Sequence, residues 1–151
     1  MANNHQGSVE HGLKIINEIA KVSREEGVRG GALKFQFRHL DTFIHPDFKN
    51  NPNLPHIPRF VATRLSDEEY RTLTDNVREN NLTTIATPFD EASVELIGKL
   101  GIEIIKIASC SASDWPLIEK IAETRKPVIA STAGLMRLRV EPSLLHSCYK
   151  G

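Results

Sequence analysis

The chain has 151 residues, with 19 basic and 19 acidic side chains and a formal net charge of zero. That length fits one domain, and the balanced charge excludes non-specific capture of nucleic acid or of an anionic membrane. No apolar run reaches the length of a membrane span, and the N-terminal stretch MANNHQGS has no signal-peptide apolar core. The two cysteines, Cys110 and Cys148, lack metal-ligand spacing and do not form a disulfide framework, so a cytoplasmic location is expected.

Apolar strands alternate with amphipathic helices along the chain. The first helix is predicted over Val9–Glu26, with Ile15, Leu13, Ile16, Ile19 and Ala20 on its apolar side and Gly27 as its left-handed stop. In Ala32–Arg38, Leu33, Phe35 and Phe37 alternate with Lys34, Gln36 and Arg38, the period of a strand. Residues His39–Arg64 carry Pro46, Pro52, Pro55 and Pro58 and cannot continue as one regular helix. A connection of that length is usually functional or mobile.

Ser66 and Glu69 form a capping-box pattern, and Leu65 with Tyr70 a hydrophobic staple, so a helix is predicted from there to about Asn80. A strand follows at Thr83–Pro88, then a helix opened by Asp90 and stopped by Gly101. Next come a strand at Ile102–Ala108, a helix with Pro116 in its first turn carrying Leu117, Ile118, Ile121 and Ala122, and a strand at Pro127–Ser131. Repeated strand–helix units imply a parallel sheet, either open and doubly wound or closed as a barrel. No glycine-rich phosphate loop opens the first helix, which weighs against nucleotide folds. A closed barrel needs eight units and about 250 residues, so four clear strands would be part of one.

Parallel barrels place reactive groups at the C-terminal ends of strands. Polar residues gather there as Lys34 and Gln36, as Thr87, as Lys106 with Ser109 and Ser111, and as Ser131 with Thr132. Lys106 interrupts an otherwise apolar strand. Burying an unpaired ammonium costs several kcal/mol, so it needs either an ion pair, with Glu103 or Asp90, or an anionic ligand. Lys34 is read either as an exposed residue on a half-solvated strand or as a second cation for that ligand. Two lysines and several hydroxyls suit a phosphorylated or carboxylated small molecule. None of the six histidines forms a pair with metal-ligand spacing. Trp115 and Tyr70 are expected to pack rather than bind.

In order along the chain stand Asn4-His5-Gln6-Gly7-Ser8, Leu33-Lys34-Phe35-Gln36, Leu65-Ser66-Asp67-Glu68-Glu69, Ala86-Thr87-Pro88-Phe89-Asp90, Ile105-Lys106-Ile107-Ala108-Ser109 and Lys126-Pro127-Val128-Ile129-Ala130-Ser131-Thr132. This series resembles the first half of the barrel of the sialic acid (N-acetylneuraminate) synthase family. The resemblance implies an α/β fold, a partial TIM (β/α)8 barrel over residues 1–135, followed by a divergent tail at 136–151. It implies an enzyme that condenses phosphoenolpyruvate with N-acetylmannosamine or a related N-acetyl sugar, releasing phosphate. By the same resemblance Lys34, Thr87, Lys106, Ser109 and Ser131 would hold phosphoenolpyruvate, with Lys34 and Lys106 catalytic. Gln36, Asn4, His5 and Ser111 would lie on the sugar side. A divalent metal, Mn2+ or Mg2+, would polarise the sugar aldehyde, bound by histidines beyond the resemblance, with no ligand in this chain. Full-length relatives would be homodimers.

The chain departs from the family pattern at four places, one of them a slightly long connection at Gly30-Gly31 before the second strand. Met1-Ala2 stands where the family has Glu-Ile-Gly, and Ser111 stands where it commonly has a glutamate. After Leu135 the resemblance stops, and His146 has the wrong spacing for the family's metal-binding histidine. A half-barrel alone would leave two strand edges and an apolar inner face uncovered, so self-association is expected. A noncatalytic fragment that binds ligand or a partner is the alternative reading.

Overall fold

The computed structural model describes residues 1–48, 54 and 56–133. The segment 136–151, with His146, lies outside the described residues. Helix α1 (Val9–Glu25) leads to β1 (Ala32–Phe37); a short α2 (Leu40–Phe43), a 3-10 turn at Pro46–Phe48 and α3 (His56–Ala62) follow. Helix α4 (Asp67–Glu79), β2 (Thr83–Pro88), α5 (Glu91–Lys99), β3 (Ile104–Ile107), a 3-10 turn at Ser109–Ser111, α6 (Trp115–Glu123) and β4 (Val128–Ala130) complete the order. The four strands form one parallel sheet in sequence order β1-β2-β3-β4. No helix among the described residues is long and apolar enough to cross a membrane.

Local chemistry explains where the helices start and stop. Ser66 accepts from the Glu69 N–H while the Glu69 carboxylate accepts from the Ser66 N–H at 2.7 Å, the reciprocal cap expected from sequence. Asp90 caps α5, Asp114 caps α6 and Ser8 caps α1. Helices α1, α4, α5 and α6 are each followed by a residue with positive φ, namely Gly27, Asn81, Gly101 and Arg125. That left-handed residue lets the following N–H groups reach back to the last carbonyls, as Ile102 does to Ile97 at 3.1 Å.

The core lies between the sheet and its helices. Leu33, Phe35 and Phe37 of β1, Ala86 of β2 and Ile105 of β3 meet Ile16, Leu73, Val77, Val94, Ile97, Leu117 and Ile121 from the helices. Leu65 and Tyr70 join the same cluster, consistent with the staple. Burying one such large side chain is worth roughly 1.5–3 kcal/mol, so this layer supplies most of the drive to fold.

The structure differs from the sequence reading in four places. Ile19 is 40% exposed, because α1 buries the narrower stripe Gly12, Ile16 and Ala20. Trp115 opens α6 half-exposed rather than packed, and Ala122 is exposed. Strands β3 and β4 are shorter than predicted; Ile102 is fully buried but sits in the turn before β3. The proline-bearing segment contains α3, which takes Pro58 in its first turn, where a missing N–H costs nothing.

Gly7 anchors that excursion. Its φ is +74°, and a Cβ there would lie 2.7 Å from the Ala62 carbonyl oxygen at the end of α3. Gly7→Ala is therefore expected to lose about 1–3 kcal/mol of stability, read as a lower urea midpoint at unchanged slope.

Candidate functional site

Side chains alternate across a strand, so the residues that build the core leave their neighbours on the opposite, inner face. Lys34 and Gln36 lie there on β1, between Leu33, Phe35 and Phe37. Register pairs Lys34 with Ile85 and Gln36 with Thr87. Strand β3 pairs Ile104 with Ile85 and Ile105 with Ala86, and one step further brings Lys106 beside Thr87. Lys106 then pairs with Ile129 of β4, and the Ser131 N–H donates to the Ile107 carbonyl at 3.1 Å. Lys34, Gln36, Thr87, Lys106 and Ser131 therefore share one face at the C-terminal ends of four strands. Ser109 opens the turn that leaves β3.

The electrostatics of this face are uncompensated. Burial, and then the neighbouring Lys106 charge, hold the Lys34 ammonium below the usual lysine range. Among the described residues neither lysine has a carboxylate within ion-pair distance. Both carboxylates that could have neutralised Lys106 are engaged elsewhere. Glu103 accepts from the Thr84 N–H and hydroxyl, each at 2.6 Å. Asp90 accepts from the Ser93 N–H at 2.7 Å and the His39 N–H at 2.8 Å. The Thr87 hydroxyl is buried, with no hydrogen-bond partner. An unmade buried hydrogen bond costs about 1–3 kcal/mol. Two ammonium groups and an unspent hydroxyl on one face match an oxyanion.

The residues expected on the sugar side divide. Gln36 is on the inner face, but His5 is not available to a ligand. It is 1% exposed beneath α1 and α4, edge-on to the Tyr70 ring at 6.1 Å. Its Nδ1 accepts from the Gly7 N–H, which leaves the proton on Nε2, and burial holds its pKa down. His5 thus shapes the turn that contains Gly7. Asn4 is exposed, and its neighbour Asn3 lines the cleft instead. Ser111 is buried under its own 3-10 turn.

A cleft of about 310 Å³ opens beside the end of β1, lined by Asn3, Gln36, Arg38, Phe60 and Tyr70 among others. Sequence reasoning missed Arg38 and Asn3. The alternation that marked Lys34 and Gln36 also includes Arg38 two residues on, and was the available signal. Burial pushes the Tyr70 phenol up to about 12, so it stays protonated and acts as a packed wall. Among the described residues no three His, Cys, Asp or Glu side chains converge to hold a metal ion. The donor set for the expected divalent metal is not formed by them.

Residues 21–141 match the model of the NeuB family. The chain belongs to the NeuB family. It is 33% identical, over 98% of its length, to the N,N'-diacetyllegionaminic acid synthase of Campylobacter jejuni and covers 45% of that protein. A crystal structure of a Chromobacterium violaceum protein assigned to spore coat polysaccharide biosynthesis superposes with a TM-score of 0.91 at 47% identity, over 97% of this chain and 44% of that one. The N-acetylneuraminic acid synthetase of Leptospira borgpetersenii shares the fold, with a TM-score of 0.76 at 24% identity, over 97% of this chain and 47% of that one. The four-stranded unit thus matches the N-terminal part of the TIM barrel seen in sialic acid synthase structures, and the chain spans less than half the length of these relatives.

Glu103 ties β3 to β2 below the site, and its two bonds from Thr84 hold its carboxyl below its ordinary 4.5. A depressed carboxylate contributes stability above the unfolded pKa and loses it as pH falls through the folded one. Glu103→Gln should cost about 1 kcal/mol near neutrality. The difference from the parent should shrink as pH drops below 4.5, read by urea melts across that range.

Proposed function

We propose that this chain carries the phosphoenolpyruvate-binding half of a nonulosonic acid synthase, condensing phosphoenolpyruvate with N-acetylmannosamine or a related N-acetyl sugar. The observation that carries this reading is the pair of unpaired lysines, Lys34 and Lys106, beside the unspent Thr87 hydroxyl. Membership of a family that includes the legionaminic acid synthase supports it. Phosphoenolpyruvate has two anionic groups, a carboxylate and a phosphate, which suits two cations with hydroxyl donors between and around them.

In the proposed reaction C3 of phosphoenolpyruvate forms a bond to the sugar aldehyde carbon. The carbonyl π pair moves onto the aldehyde oxygen, which takes a proton and becomes a hydroxyl. Positive charge develops at C2, water adds there and gives up one proton, and as the C2–O bond to phosphate breaks the C2 hydroxyl gives up the other, leaving a C2 carbonyl. The product is a 2-keto acid, and phosphate leaves. Lys34 and Lys106 are assigned to the carboxylate and phosphate. Thr87, Ser109 and Ser131 are assigned as directed donors. As C–O cleavage puts charge on the departing phosphate, a fixed ammonium beside it lowers the barrier more than it stabilises bound substrate. A divalent metal remains part of the proposal for the whole enzyme, where it would polarise the sugar aldehyde.

A second reading is that this stretch binds phosphoenolpyruvate without turnover. The lack of a metal-ligand set among the described residues favours it for the chain alone. Phosphate release in the presence of N-acetylmannosamine and manganese separates the two readings. Release that needs no sugar would contradict the synthase assignment.

Calorimetric titration with phosphoenolpyruvate tests the site under either reading. Lys106→Met should weaken binding about 10- to 100-fold, the loss of one charged hydrogen bond, without lowering the melting temperature, because it removes like-charge repulsion. Unchanged affinity would remove Lys106 from the site. Because Lys34 loses its proton below the usual lysine range of about 10.4, affinity should fall on the alkaline side earlier than for an ordinary lysine. Lys106→Met should move that limb to higher pH.

A further inference from the structure

Arg38 follows β1 directly and continues the inner-face series Lys34, Gln36. The Phe89 N–H donates to the Phe37 carbonyl at 3.1 Å, so the β1–β2 ladder runs one step past the strands and sets Arg38 across from Phe89. The Arg38 guanidinium lies 3.8 Å from the Phe89 ring centroid and 4.5 Å from that of Phe60 on α3. Contacts at this range between a guanidinium and aromatic faces are attractive, and more so when desolvated. Arg38 is half-buried and, among the described residues, has no carboxylate partner within ion-pair distance. The rings hold the cation in place, and its N–H groups remain for other partners.

One of those N–H groups has a partner. Arg38 Nη1 donates to Gln36 Oε1 at 3.4 Å. A guanidinium has five donors and no acceptor, so only the carbonyl end of the Gln36 amide can face it. The Gln36 Nε2 must then point away from Arg38, as a donor. Gln36 stands next to Thr87 on the inner face and lines the cleft.

We infer that Arg38 is a positioning residue that orients the Gln36 carboxamide, making the mouth at β1 a hydrogen-bond donor to an acceptor oxygen on the sugar co-substrate. This rests on the proposed function for the identity of the co-substrate, but not for the orientation itself. The ring contacts supply the rigidity. A free arginine side chain would lose rotamer entropy on making this bond, whereas one clamped by Phe89 and Phe60 has already lost it. Hence α3 would contribute to specificity through Phe60, which acts on Gln36 by way of Arg38.

The chain contains only two glutamines, Gln6 and Gln36. Glutamine-selective 15N labelling therefore gives two side-chain NH2 pairs, assigned by Gln6→Ala. In the parent the Gln36 pair should stand apart from the position of a freely rotating amide. In Arg38→Met it should move to that position while the Gln6 pair stays. A Gln36 pair unmoved by Arg38→Met overturns the inference. Should that variant fail to fold, Phe60→Leu removes one ring from the guanidinium and should move the pair part of the way; no movement there overturns the inference equally. In protein saturated with phosphoenolpyruvate, N-acetylmannosamine should shift the Gln36 pair, and Arg38→Met should raise the sugar concentration at half-shift about tenfold. No shift, or the same midpoint in both, overturns the assignment of Gln36 to the sugar. Calorimetric affinity for phosphoenolpyruvate should differ less than twofold between Arg38→Met and the parent. Failure of the parent to bind phosphoenolpyruvate would count against the proposed function instead, and leaves the amide readout standing.

Discussion

Burial of Phe35 and Phe37 against the helices constrains everything on the other side of β1. A strand presents successive side chains to opposite faces, so packing these rings forces Lys34 and Gln36 onto the inner face. Parallel register transmits the choice to the neighbours. Ala86 and Ile105 go outward with the phenylalanines, and Thr87 and Lys106 go inward. A one-residue slip of β2 or β3 would exchange core for site along the whole strand. The hydrophobic layer therefore sets which residues can meet a ligand, although none of its side chains does so.

The inner face is correspondingly expensive in the free protein. Two lysines share it, one of them shifted by burial and by the other, and a buried hydroxyl is left without a partner. In a purely structural site the nearby carboxylates would have been drawn in. Instead Glu103 serves Thr84, and Asp90 serves both the start of α5 and the His39 N–H. Those acids hold the scaffold together from outside this face, and its positive charge stays uncompensated among the described residues, which fits the proposed anion site. Forgone stability of this kind is a common arrangement at functional sites.

The long connection after β1 has a comparable logic. Close approach of Gly7 to Ala62 holds the end of α3, and α3 in turn brings Phe60 over Arg38. Asp90 fixes the other end of the excursion through His39. In the N-terminal loop, buried His5 braces the Gly7 turn, while Asn3 lines the cleft.

From the sequence by itself came the alternation of strands and helices, the caps at Ser66, Asp90 and Gly101, and the polar strand-end residues Lys34, Gln36, Thr87 and Lys106; their shared inner face came from the register. These are readable because periodicity and capping act between residues a few positions apart, and local spacing encodes them. The resemblance of the strand-end motifs to sialic acid synthases was legible for the same reason. The tertiary structure alone decided the fate of His5, Asn4 and Ser111, the release of Glu103 and Asp90 from Lys106, and the clamp on Arg38. Most of those depend on groups brought together from distant parts of the chain. Phe60 meets Arg38 across a proline-bearing excursion, and Glu103 meets Thr84 across α5. Only the packed layer sets such distances, so no local spacing could announce them.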